Sequence, residues 1–127
     1  MDLKEYSGYS LSYIGDAVFT LHVRQFFVEH HYQSSASLQR LCNAYNSAKG
    51  QTKLFHRLLD DGFFNEEELQ VYKRGRNHIS HIPKNGDLAT YECASGLEAI
   101  CGYLYLKDRR RLEEFFEKVF EGGLHNE

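Results

Sequence analysis

The sequence predicts an all-α protein with a single domain, and three observations predict it. The chain has one proline, Pro83, in 127 residues, so almost nothing interrupts a helix. Apolar residues recur three and four positions apart through most of the chain. No stretch alternates apolar and polar residues convincingly enough to make a strand. The length suffices for one hydrophobic core and leaves no room for a second useful module, so residues 1–127 read as one domain of five to seven helices.

The elements follow in order. Leu11, Ile14, Ala17, Val18 and Leu21 carry helical spacing to about Val28, with Phe19, Val23 and Phe27 adding apolar surface on other faces. A helix apolar nearly all round is expected to be central and buried. Ser35 to Ser37 can cap a second helix through Leu38, Leu41, Cys42 and Tyr45. Helical spacing continues from Ala48 to Leu59, and Gly62 ends it. Asn65 with Glu68 three residues on has the form of a capping box for a helix ending near Arg76. Residues 77–86 form a loop. Asp87 caps a long helix to about Lys107, and Asp108 caps a last one that stops before Gly122 and Gly123.

Composition narrows the function. The net charge of -3 excludes a global field for nucleic acid, so any such contact needs a local basic patch. Cys42, Cys93 and Cys101 are an odd number without a pairing pattern and read as free thiols of a reducing compartment. The N-terminus has neither signal-peptide nor transit character, and no segment has the ~18 apolar residues of a membrane span. A cytoplasmic protein without membrane contact is expected.

Two carboxylates stand out. Asp16 lies in the middle of the first apolar helix, beside Gly15, and Glu98 lies in a second apolar helix. A carboxylate there is costly to bury unless it is paired, hydrogen-bonded or bound to a metal. Each has a structural reading, as an acid tied to a helix end or an arginine, and a functional one. If the two meet in space, their hard oxygens suit Mg²⁺ or Mn²⁺. Lys73, Arg74 and Arg76 flank Gly75 at a helix end, followed by Asn77 and, across the loop, Lys84 and Asn85. These residues either complement the helix dipole or hold phosphate and 2′-hydroxyl groups. His78 and His81 lack a third partner for zinc, and the cations from Lys107 to Arg111 read as a solvated helix start.

Four ordered motifs then carry a family resemblance. Leu11-Ser-Tyr-Ile-Gly-Asp-Ala-Val18 resembles the signature helix of the ribonuclease III catalytic domain, most closely that of Mini-ribonuclease III, its short bacterial form. Lys73-Arg-Gly-Arg-Asn77 resembles the family's basic turn. Pro83-Lys-Asn-Gly-Asp87 with Thr90-Tyr91 resembles its next segment, and Gly96 to Leu106 its second acidic helix. The resemblance spans about residues 9–120 and leaves short tails.

The resemblance implies an all-α endonuclease domain that forms a homodimer and cuts both strands of double-stranded RNA with a divalent metal, Mg²⁺ or Mn²⁺ in its place. Asp16 and Glu98 match the family's metal-binding and catalytic acids. Arg74, Arg76, Asn77, Lys84 and Asn85 would hold the RNA backbone. The implied substrate is the precursor of 23S ribosomal RNA, with help from a ribosomal protein, because the short form has no separate double-stranded-RNA-binding domain. Full-length ribonuclease III has two further acids where this chain has Ser12 and Ser95. That difference implies one well-defined metal, and it keeps a second reading open: a catalytically inactive ribonuclease III-fold protein that binds RNA or the ribosome. Asp87 is too far along the helix from Glu98 to share an ion, about 16 Å of rise.

Overall fold

The computed structural model describes residues 5–77 and 86–124. Among them are six helices and no strand: α1 Gly8–Glu29, α2 Ser35–Asn46, α3 Ala48–Asp60, α4 Glu66–Asn77, α5 Leu88–Lys107 and α6 Arg109–Phe120. The expected all-α fold is what forms. His78, His81, Pro83, Lys84 and Asn85 lie outside the described residues.

The helix ends follow local chemistry. Ser7, Ser34, Ser47 and Asp108 each accept a hydrogen bond from a backbone N–H three residues on, which satisfies donors that a helix start leaves free. Ser47 closes α2 and opens α3, so the chain turns sharply at a single residue. Gly62 takes φ 71°, and Phe63 N–H returns to the Leu58 carbonyl at 3.0 Å, ending α3. The capping box at α4 is reciprocal. Glu68 N–H donates to Asn65 Oδ1 at 2.8 Å, and Asn65 N–H donates to Glu68 Oε1 at 3.0 Å. Asp87 precedes α5 but makes no side-chain cap; its carboxylate accepts from Thr90 Oγ1 at 2.8 Å.

The central helix is α5, not α1. From Cys93 to Leu104 nearly every residue of α5 is buried, with α1, α3, α4 and α6 packed around it. α1 buries Leu11, Phe19, Val23 and Phe27 but exposes Tyr9, Tyr13, Leu21 and Val28. Apolar composition records that a surface leaves water somewhere, and this chain alone covers only one side of α1.

Glycines set how closely the helices cross. A Cβ on Gly15 would strike the carbonyl of Glu98, and one on Gly102 would strike the carbonyl of Leu11, so α1 and α5 meet backbone to backbone. At the same level Ser12 Oγ donates to the Ser95 carbonyl at 2.8 Å, and Ser95 Oγ donates to the Gly75 carbonyl at 3.0 Å. The two serines thereby tie α1, α5 and α4 together.

At the other end of α4, Glu68 is 1% exposed and receives Arg111 Nε at 2.7 Å and Nη2 at 2.9 Å. Arg111 Nη2 also donates to the Phe63 carbonyl at 2.6 Å. This fork pins the start of α6 to the start of α4. The expectation that the 107–111 cations are a solvated helix start therefore fails at Arg111, which balances a buried carboxylate.

Replacing Gly15 by alanine opposes two effects. Alanine in a helix gains about 1 kcal/mol over glycine, but the added methyl group must displace the α5 backbone, at a cost of about 3 kcal/mol. Gly15→Ala should therefore lower the urea midpoint. An unchanged or higher midpoint would show that the α1–α5 crossing is looser than described.

Candidate active site

Asp16 follows Gly15 on α1, and Glu98 is the residue whose carbonyl lies against Gly15. The glycine contact thus brings the two acids to one place. They line a single cavity of about 320 Å³ with Tyr9, Ser12, Tyr13, Asn46, Ala48, Gln51, Tyr91, Ala94 and Ser95. The pairing envisaged from sequence forms, with one difference. Asp16 is exposed at the cavity's mouth, while Glu98 is half-buried in its floor. The expectation of two buried acids therefore holds only in part, and burial presses mainly on Glu98.

Electrostatics follow from that asymmetry. Burial pushes the Glu98 carboxyl up to about 8, helped by a side-chain hydrogen bond with Asp16 and by the Asp16 charge; a hydrogen bond from Gln51 opposes the shift. Cys101, fully buried, has its thiol pushed well up by burial and by the Glu98 charge. A buried thiol kept in its neutral form is unreactive. All three cysteines are free, as their number suggested.

The donor set fits a hard divalent cation. It consists of carboxylate and amide oxygens, with an open side through which an ion can keep its waters. Among the described residues no group of three or more His, Cys, Asp or Glu could hold a metal. Ser12 and Ser95 stand beside the acids, but each hydroxyl gives its one proton to a backbone carbonyl, so the fold uses them.

The basic residues lie apart from this cavity. Arg76 and Asn77 are exposed at the C-terminal end of α4. Arg76 borders a second hollow with Thr52, His56, Tyr72 and Glu92. Arg74 is half-buried and gives one N–H to the Tyr6 carbonyl at 2.6 Å. Lys84 and Asn85 lie outside the described residues.

Sequence reasoning missed Gln51 and Asn46. Gln51 is 2% exposed, and its Nε2 donates to Glu98 Oε2 at 3.3 Å. A signal was present: Gln51 shares the helical face of Leu54, Phe55 and Leu58, all buried. A polar residue on an apolar stripe is the pattern that singled out Asp16.

The chain is similar to known proteins over most of its length. Residues 9–109 match the family described as Ribonuclease III domain. The Mini-ribonuclease 3 of Enterococcus faecalis is 40% identical over 115 residues, covering 89% of this chain and 87% of that protein. The Mini-ribonuclease 3 of Kosmotoga olearia is 41% identical, covering 87% of this chain and 74% of that protein. A crystal structure of a Fusobacterium nucleatum protein superposes with a TM-score of 0.83 at 28% identity, covering 95% of this chain and 98% of that one.

The raised Glu98 carboxyl predicts a pH dependence. A folded value near 8 against an unfolded value near 4.5 means that the folded state binds the extra proton. Stability from this group is complete below pH 4.5 and is lost as pH rises toward 8. In EDTA, Glu98→Gln should therefore gain on the wild type between pH 5 and pH 8, by on the order of 2–4 kcal/mol. Melting curves at both pH values check this, and parallel losses in the two proteins would refute it.

Proposed function

From the premise that this chain belongs to the ribonuclease III family, in its Mini-ribonuclease 3 group, and is an endoribonuclease, we propose that Asp16 and Glu98 are its catalytic and metal-binding pair. The ion is Mg²⁺, with Mn²⁺ as a substitute, and the substrate is double-stranded RNA. One observation carries this reading: two acids from different helices share one cavity whose lining holds no lysine or arginine to balance them.

When bound, a divalent ion supplies positive charge against a phosphodiester and eases deprotonation of water near neutral pH. The chain's own residues do the rest. Glu98, held by Gln51, faces the cavity from its floor, and exposed Asp16 meets the phosphate side at the mouth. Hydrolysis then proceeds by in-line attack of water with departure of the 3′-oxygen. Arg74, Arg76, Asn77, Lys84 and Asn85 hold the RNA backbone, and recognition follows A-form shape with salt-sensitive affinity.

The active form in this reading is a homodimer. The exposed stripe of Tyr13, Leu21 and Val28 on α1, 72%, 61% and 58% exposed, supports it as the face that a second copy covers. The natural substrate is the precursor of 23S ribosomal RNA in the cytoplasm. A net charge of -3 with only local basic clusters favours presentation of that RNA by a ribosomal protein. Among the described residues no helix is long and apolar enough to cross a membrane.

Cleavage of a perfect RNA duplex with Mg²⁺ tests the site. Asp16→Asn and Glu98→Gln should each cut at least ~100-fold more slowly than wild type. Undiminished cutting by either variant would remove that residue from the chemistry and leave a role in RNA binding alone.

The dimer face is tested separately. Leu21→Glu should keep folded stability within about 0.5 kcal/mol, since the side chain is exposed in the single chain. It should sediment as a monomer and lose paired-strand cutting. A variant that sediments like wild type would place the dimer contact elsewhere.

A further inference from the structure

Two amide side chains at the turn between α2 and α3 border the acid pair. Gln51, 2% exposed, donates from Nε2 to Glu98 Oε2 at 3.3 Å. Asn46, the last residue of α2, lines the same cavity. Its Oδ1 is buried with no hydrogen-bond partner, the one such side-chain atom found among the described residues. An unpaired buried acceptor costs about 1–3 kcal/mol, so it calls for a ligand or a functional cause.

The turn that presents these amides is stiff. Ser47 Oγ accepts from Gly50 N–H at 3.0 Å, and Gln51 N–H donates to the Ser47 carbonyl at 2.9 Å. A Cβ on Gly50 would collide with the Ala44 carbonyl, so the starts of α3 and the end of α2 are in close contact. Both side chains are thus held on a fixed frame, as a preformed coordination shell requires.

The need for them follows from the acids. Ser12 and Ser95 stand beside Asp16 and Glu98, yet their hydroxyls are used within the fold. Neutral amide oxygens can add polar contacts to a cavity that has only two carboxylates.

We propose that Asn46 and Gln51 form the neutral wall of the cation site. Gln51 is a positioning residue that fixes which Glu98 oxygen turns into the cavity, and Asn46, between this cavity and a second hollow beside Arg24 and Cys42, turns its buried oxygen toward the hydration shell when a divalent ion enters. The inference rests on the reading of this cavity as a metal site.

The experiment measures Mn²⁺ binding to the full chain without RNA, by calorimetry, for wild type, Gln51→Met and Asn46→Asp. Melting curves in EDTA verify folding. Gln51→Met should weaken Mn²⁺ binding about tenfold and raise the Mn²⁺ concentration needed for duplex cleavage by the same factor. At saturating Mn²⁺ its rate should return to within about twofold of wild type, which a general loss of structure would not allow. Asn46→Asp, nearly isosteric, should bind Mn²⁺ about tenfold more tightly, and it carries the test should Gln51→Met not fold. Wild-type affinity in either folded variant overturns the proposal while leaving the metal site intact. No Mn²⁺ binding by wild type, with full activity in Asp16→Asn, overturns the metal site itself.

Discussion

The backbone contact of α1 with α5 at Gly15 and Gly102 is the constraint on which the rest of the molecule depends. Two helices approach this closely only where neither carries a side chain at the crossing. Because Asp16 follows Gly15 and Glu98 supplies the carbonyl that Gly15 faces, the contact that forms the centre of the fold also assembles the two acids. The serine chain from Ser12 through Ser95 to the Gly75 carbonyl adds α4 at the same level. Each of its bonds is worth about 1 kcal/mol net, less than the packing they accompany, but their directions fix the register of the three helices.

That arrangement leaves an electrostatic debt at the site. Glu98 sits partly withdrawn from water beside Asp16, and its carboxyl is held up near 8. Elsewhere the fold neutralises buried charge fully: the Glu68 carboxylate accepts from the Asn65 N–H and from the fork of Arg111. No arginine or lysine performs that service among the residues lining the Asp16 cavity. In the function proposed above, the acid pair is left unbalanced because a divalent cation, whose charge and oxygen preference match it, is its partner.

α1 and α5 show how similar composition leads to different environments. α5 is enclosed by four other helices along most of its length. α1 is covered on one side only, and its other side carries Tyr13, Leu21 and Val28 into solvent. Asp16 lies at the edge between these sides, which explains why it is exposed although its helix is rich in apolar residues.

The chain by itself determined several of the helix ends, because capping is settled within four residues, though Asp87 makes no side-chain cap and α1 starts at Gly8, before the Leu11 at which its apolar spacing begins. The Asn65–Glu68 box, the Asp108 cap and the Gly62 stop were all readable in advance and are all present. It also marked Asp16 and Glu98, since an acid among apolar neighbours stands out in one dimension. Only tertiary packing decided that the two acids meet, that Asp16 is the exposed member, that Ser12 and Ser95 are occupied, and that Gln51 and Asn46 join the cavity. Those outcomes depend on how closely helices distant in sequence approach, and that distance is set by glycines whose partners are not their neighbours in the chain.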